Sequence, residues 1–515
     1  MMPSQSNAQP NQQQSPQQVF EQARRMLALG DAHEAAQRAA LLRSHFPGQT
    51  PMVALHGLAV AALGLHELAV EDLAAAADAT ESALKERASD DVNLPRIADQ
   101  LIRLTTQLAR SYEAMGRRAE ADAALARALG VDPEDPFATQ AKVEMLAGRA
   151  EIDAARAFLD EANGLGLEEL PAAMSAAAVA LARRDTSADE FRMLALRLRA
   201  LTEAVGLDAV TQSMALRRCG ELFDRAGEGD DAFRAFTRAA NFKRGTFDAA
   251  AHARVTSGVI SVWTAAAMDK VKKPTAGGAG VVFVVSAPCS GGEELGRAMA
   301  AHDSVASAGP SEVLTMAALR QAGAKGTKHR PVVTNPSQLR GSQLGELAKL
   351  YMAQTARNAY PGGRSVLVDS SPLHTHLIGL AAMAMPEAKF VLVRREPRSN
   401  ALACFFGATP GHHPYARDLA TTASYLRDVR MLMDHWASVL PAMGCTVVET
   451  SREALVADPD AETARVMAAI GLDGTVAGPR FGAEAADHPD RYAKRLGPVE
   501  PFFAPGAGET AARTG

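Results

Sequence analysis

The 515 residues hold only four cysteines, Cys219, Cys289, Cys404 and Cys445, and no two stand at a spacing that could clasp a metal. So few and so scattered, they exclude a disulfide scaffold and a zinc module and point to free thiols in a reducing compartment. An excess of basic charge is also missing. With 54 Lys and Arg against 59 Asp and Glu, a net charge of −5 and a pI near 6.3, the chain lacks the footprint of a general nucleic-acid or membrane-surface binder, although a local basic site is compatible with it. No stretch approaches the roughly 20 apolar residues of a membrane span. The Gln/Asn/Ser/Pro-rich start has neither the basic nor the apolar region of a signal peptide, so a cytoplasmic protein is expected. A Gly-Lys-Ser/Thr phosphate-binding signature is absent too, which disfavours an ordinary nucleotide-dependent transferase.

What is present is a long globular chain, 47% apolar, with room for several domains. Residues 1–15 are polar and of low complexity, an expected disordered tail. From Gln17 to Arg244 the pattern is helical, Ala-rich and repetitive. Gly30, Ala35 and Pro47 are echoed 34 residues later by Gly64 and Ala69. Tyr112, Gly116, Ala121, Ala128 and Pro133 fit the same frame, as do Gly227, Ala232, Phe236 and Ala239, while Gly148 and Leu170–Leu201 fit it loosely. Gly permits a tight turn, Ala a close helix approach, and Pro a stop, and a period of about 34 belongs to helical hairpins. The interval from Gly64 to Gly116 exceeds one repeat, which predicts a longer or inserted helix near Glu81–Asp99. The array, residues 16–270, resembles tetratricopeptide repeats: a superhelix of five or six hairpins whose concave face would take a protein or peptide, or serve only as a packing scaffold.

Phe247–Asp269 reads as one further helix and residues 271–280, rich in Pro, Gly and small residues, as a linker. The period then changes. Short apolar runs at Val281–Val285, Ser365–Val368, Phe390–Val393 and Thr446–Val448 alternate with helical stretches, the pattern of a parallel α/β sheet. The first run enters Ser286-Ala-Pro-Cys-Ser-Gly-Gly292, a tight turn ahead of a helix Glu293–His302, where backbone N–H groups would face an anion.

With these strands placed, residues 281–475 resemble the sulfotransferase family, and the chain resembles bacterial proteins that join tetratricopeptide repeats to such a domain. The resemblance implies an α plus α/β protein: an all-α superhelix, then a P-loop-like parallel α/β domain, then a partly disordered extension, residues 476–515. It also implies a donor, 3′-phosphoadenosine 5′-phosphosulfate, or its product adenosine 3′,5′-bisphosphate, and no metal. The family's Pro-Arg/Lys-Ser-Gly-Thr-Thr/Ser loop stands here as Pro288, Cys289, Ser290, Gly291, Gly292 and Glu293. Its Arg-x-Pro-x-Asp element, with a Ser eight residues after the Arg, stands as Arg395-Glu-Pro-Arg398-Ser399 with Ala403. Asp369-Ser-Ser-Pro-Leu-His374 takes the place of Asp-Lys-x-Pro-x-Asn, and Arg452-Glu-Ala-Leu455, Asp458-Pro459 and Gly471-Leu472 that of the usual ending.

Sulfuryl transfer needs positioning, positive charge on the transferring oxygens and a base. The cation of the loop is replaced by Cys289 and that of the third element by Ser370, each such cation being worth about 2–4 kcal/mol of transition-state stabilisation. Glu293 adds a carboxylate that a dianionic donor would repel unless it points away. Arg395 offers a planar fork for phosphate or, alternatively, an ion pair with Glu396 or Asp369. Arg394 and Arg398 flank it as substitutes for lost contacts. Glu312 aligns best with the Glu that serves as base in tyrosylprotein-type members of the family and reads equally as a helix N-terminal residue. Cys289 reads as an activated thiol or a small packing residue. His374, His376, His412 and His413 show no metal spacing. Two functions stay open: a binding protein whose donor site has lost or altered sulfuryl transfer, and an active sulfotransferase acting on a hydroxyl of a protein or other acceptor.

Overall fold

The computed structural model describes residues 15–87, 91–203, 206–242, 245–275, 277–309, 313–315, 335–359, 364–407, 413–479, 481 and 484–503. Helices from Pro16–Ala28 to Gly229–Ala240 pack in chain order, each against the next. The sequence frame is visible in the turns. Gly30, Gly64, Gly116 and Gly227 have φ of 80°, 77°, 74° and 82°. In each turn the following N–H donates back across the helix end: Asp31 to Met26, Leu65 to Val60, Arg117 to Tyr112 and Glu228 to Phe223. A left-handed residue is what lets that bond close. A fifth turn has the same bond, from Glu151 to Leu146, but Ala150 supplies the left-handed conformation, with φ of 63°. Ala150 stands 34 residues after Gly116, so the frame passes through it, while Gly148 closes the helix Pro136–Gly148. Ala35, Ala69, Ala121, Ala155 and Ala232, one step into the second helix of each pair, are all fully buried. No larger side chain fits there without moving the helices apart.

Ala150 is exposed, so its backbone strain can be relieved without disturbing packing. A left-handed conformation costs a side-chain-bearing residue about 1–2 kcal/mol, part of which glycine gives back as unfolded-chain entropy. Ala150→Gly is therefore expected to stabilise the chain by about 0.5–1 kcal/mol, read as a raised thermal midpoint; a lowered midpoint would contradict this account of the turn. The interval from Gly64 to Gly116 is filled by length, with helices His66–Lys85 and Leu94–Ala114 of 20 and 21 residues. The single helix expected over Phe247–Asp269 is instead two, Ala249–Val262 and Ala265–Asp269. Trp263 breaks the helical path, and Thr264 caps the second piece by accepting from the Ala267 N–H at 3.2 Å. Among the described residues no helix is long and apolar enough to cross a membrane.

Five parallel strands form one sheet: β1 (Val281–Ser286), β2 (Val305–Gly309), β3 (Val366–Asp369), β4 (Lys389–Arg394) and β5 (Val447–Ser451), in the order β2-β3-β1-β4-β5. β1 is buried along its whole length, as its valine run requires of a central parallel strand. Four of the strands follow the apolar runs. β2 reads Val-Ala-Ser-Ala-Gly and carries no β-branched run, so only its pairing with β3 at the sheet edge reveals it. Strand order reverses around β1, and in such sheets a ligand crevice opens beyond the carboxyl ends of the strands at that point.

One apolar core runs from Ala173 in the array through the sheet to Val499, and a second fills the array between Ala35 and Met145. Four phenylalanines and a tyrosine meet where array and sheet domain join. Phe236 stacks on Phe406 at 4.0 Å, Phe406 meets Tyr492 edge-on at 5.0 Å, and Phe233 packs on Phe405 and Phe406. Asp224 of the array accepts from Tyr492 Oη at 2.7 Å and Arg491 Nη1 at 2.8 Å, and Arg495 pairs with Asp230 at 3.0 Å. The C-terminal segment 484–503 is thereby strapped across both halves.

Candidate functional site

The loop after β1 is shaped by two left-handed residues, Cys289 with φ of 61° and Gly291 with φ of 91°, after which the helix Gly292–Met299 begins. Gly292 is required by crowding, since a β-carbon there would stand 2.4 Å from Ser286 Oγ. The helix Pro397–Phe406 pins the loop from behind. Asn400 Nδ2 donates to the Pro288 carbonyl at 2.8 Å, Cys404 Sγ lies 3.4 Å from the same oxygen, and Ser290 Oγ meets Asn400 Oδ1 at 3.4 Å. Ala403, on this helix, is buried and brings no polar group.

Arg395 follows the end of β4 and its side chain is 1% exposed. Its Nη1 donates to the Cys289 carbonyl at 2.7 Å, and its Nη2 to Glu484 Oε2 at 3.1 Å and Asp487 Oδ1 at 2.7 Å. The ion-pair partners are thus Glu484 and Asp487 of the C-terminal strap, not Glu396 or Asp369. A second guanidinium converges on the same carboxylates. Arg452, just after β5 and 3% exposed, places Nη2 3.0 Å from Glu484 Oε1 and 3.5 Å from Asp487 Oδ2. Its Nε and Nη2 nevertheless lack any hydrogen bond of acceptable alignment. Phe481 covers the Arg452 guanidinium at 4.2 Å and lies against Gly291. Two buried cations at the strand ends therefore form an anion seat, with two half-exposed carboxylates in it.

The other flanking cations point elsewhere. Arg394 pairs with Glu449 at 2.8 Å and Asp434 at 2.6 Å, and Arg398 with Glu500 at 3.0 Å. Glu293 is half-buried on the array side of the loop helix. Burial, then the neighbouring Glu294 and the array's Glu67, push its carboxyl up to about 7, against the pull of Arg297. Glu67 is likewise pushed up to about 7, chiefly by burial.

Ser370 packs against Gly296. Asp369 accepts from Tyr351 Oη at 2.7 Å and lies 3.4 Å from the buried His374 ring. His376 is driven down to about 4 by burial and then by the charge of His252, so it is neutral near pH 7. His413 bonds Tyr415 through Nδ1 at 2.9 Å. Glu312 and His412 lie outside the described residues. Among the described residues no three His, Cys, Asp or Glu cluster as metal ligands.

A five-stranded parallel sheet with a glycine turn after its central strand and arginines following the ends of β4 and β5 defines a parallel α/β domain set behind a helical array. More particularly, a model of the Sulfotransferase family matches residues 281–475; the C-terminal half carries a Sulfotransferase family domain, following an all-helical half. No curated protein matches the chain.

The family donor, 3′-phosphoadenosine 5′-phosphosulfate, does not fit the site as its residues stand. Cys289 brings no fixed charge to the loop, and the charge of Arg395 and Arg452 is balanced by Glu484 and Asp487. The roles of Arg452, Glu484 and Asp487 escaped the sequence reading. For Arg452 there was only a weak signal, a basic residue four positions after the apolar run Thr446–Val448. For the two carboxylates there was none, because their partners lie 89 and 92 positions away.

Proposed function

We propose that this chain is a sulfotransferase-family protein that works through binding: the helical array, of tetratricopeptide type, holds a protein or peptide, and the α/β domain has lost or altered sulfuryl transfer. The observation that carries this reading is the anion seat, in which Arg395 and Arg452 already hold Glu484 and Asp487. A dianionic donor would have to displace both carboxylates, in a loop that offers it no cation of its own. Support for partner binding comes from a groove of about 310 Å³ on the array, with Leu125, Leu129, Met145 and Leu146 as apolar lining and Asp122 and Lys142 among its charged residues. The test is titration calorimetry with adenosine 3′,5′-bisphosphate on the full chain. Little or no heat at micromolar ligand is expected, and micromolar affinity together with measurable turnover from radiolabelled donor would overturn the reading.

A second reading, an active donor-dependent sulfotransferase, draws on one observation: Arg452 stands beside Arg395 with hydrogen-bonding capacity unmet. It predicts labelling of a hydroxyl acceptor by radiolabelled donor. Absence of label, in lysate and with purified candidates, would count decisively against it.

A further inference from the structure

The carboxylates in the anion seat belong to a segment that is anchored elsewhere. Glu484 caps and Asp487 closes a short helical turn, and the Glu484 N–H donates to Asp487 Oδ2 at 3.2 Å, so the two carboxylates are presented as a set. Between and beyond them the chain is held by Ala486, Tyr492, Leu496 and Val499, all at most 2% exposed, and by the bonds of Arg491 and Tyr492 to Asp224. At the seat the burden is uneven. The guanidiniums are 1% and 3% exposed while Glu484 and Asp487 are 44% and 32% exposed, so the carboxylates lie on the solvent side of the cations. Arg452 gains charge pairing from them but no aligned hydrogen bond at Nε or Nη2. Two buried cations demand an anion, and the one provided satisfies Arg395 but leaves Arg452 only partly satisfied.

We infer that the strap is an internal competitor: Glu484 and Asp487 occupy the Arg395–Arg452 seat in place of a phosphate group of a diffusible ligand, and the anchor on the array keeps them there. This rests on the proposed reading that the seat at the strand ends is the closed donor site. A phosphate ester offers three acceptor oxygens, suited to the planar forks of both arginines. Removing the strap's charge leaves two uncompensated cations at the same place, so the competitor is lost while the seat stays. No covalent step is involved.

The experiment is calorimetric titration of the full chain and of the double variant Glu484→Gln, Asp487→Asn with adenosine 3′,5′-bisphosphate and, separately, with inorganic phosphate. An occupant that holds the seat in nine-tenths or more of the molecules weakens apparent affinity by about tenfold or more. The variant is therefore expected to bind at least one probe about tenfold or more tighter than the parent. Equal affinities, or no binding by either chain, would overturn the inference. Should the variant fail to fold, hydrogen exchange on the parent decides: amides of residues 484–499 lose protection at saturating bisphosphate if the strap is displaced, and unchanged protection sinks the idea. The outcomes separate this inference from the binding-only function. Transfer activity gained by the variant upholds the strap and overturns that function, whereas a parent and variant that both fail to bind overturn the strap and leave that function standing.

Discussion

A Glu67→Gln, Glu293→Gln double variant should gain stability on the parent chain steadily as pH rises from 5 to 8. Glu67 opens the helix His66–Lys85 of the array and Glu293 lies in the first turn of the helix after β1, and the charge of Glu67 acts on Glu293 across the junction. Both carboxyls are raised from 4.5 to about 7. Between those values the native chain keeps protons that the unfolded chain releases, so stability is present below pH 4.5 and is lost as pH climbs through 7. Ionising one such group costs on the order of 3 kcal/mol. Both side chains retain some solvent access and they are coupled, so about 4 kcal/mol is the expectation for the pair at pH 8. The comparison is with the parent because His376, lowered to about 4, acts with the opposite sign, its contribution being lost as pH falls below 6.5. Thermal unfolding of both proteins across the range checks this, and an offset independent of pH would show that burial does not hold the two carboxyls above their ordinary range.

Asp224→Ala is the second large effect, expected to cost about 3 kcal/mol. The residue is 3% exposed at the end of helix Ala209–Arg225 and accepts from both Tyr492 and Arg491. Its loss leaves a fully buried phenol without an acceptor and removes the counter-charge of Arg491. Tyr492→Phe, which deletes one donor and leaves the Asp224–Arg491 pair, is expected to cost only about 1 kcal/mol. Urea unfolding of both variants measures the contrast. Equal costs would mean that Asp224 acts only as the acceptor for Tyr492 and that its pairing with Arg491 adds nothing.

The helical frame was legible because its signals are local. A glycine that must turn left and an alanine under a crossing helix, 34 residues apart, reappear as Gly30, Gly64, Gly116 and Gly227 at positive φ over buried alanines. Ala150 escaped for the same reason, since an alanine in a left-handed turn carries no sign of its conformation. Four strands were readable from valine-rich runs; β2 was not, because small residues at a sheet edge look like loop. The tight turn from Pro288 to Gly292 and the helix behind it were legible, and the uncharged Cys289 within the turn could be read directly. Its neighbours could not be. The partners of Arg395 lie in a segment whose composition resembles a loose tail and whose carboxylates look like ordinary surface charge.

By itself, then, the sequence determined the elements and their order: a helical array, a central buried strand, a glycine turn and an arginine at the next strand's end. Each follows from the conformational preferences of a few adjacent residues. Only the tertiary structure decided what those arginines hold. Which carboxylate neutralises a buried guanidinium depends on distances between residues far apart in the chain, and the energy that selects Glu484 and Asp487 comes from burying Tyr492, Leu496 and Val499 against both halves of the protein.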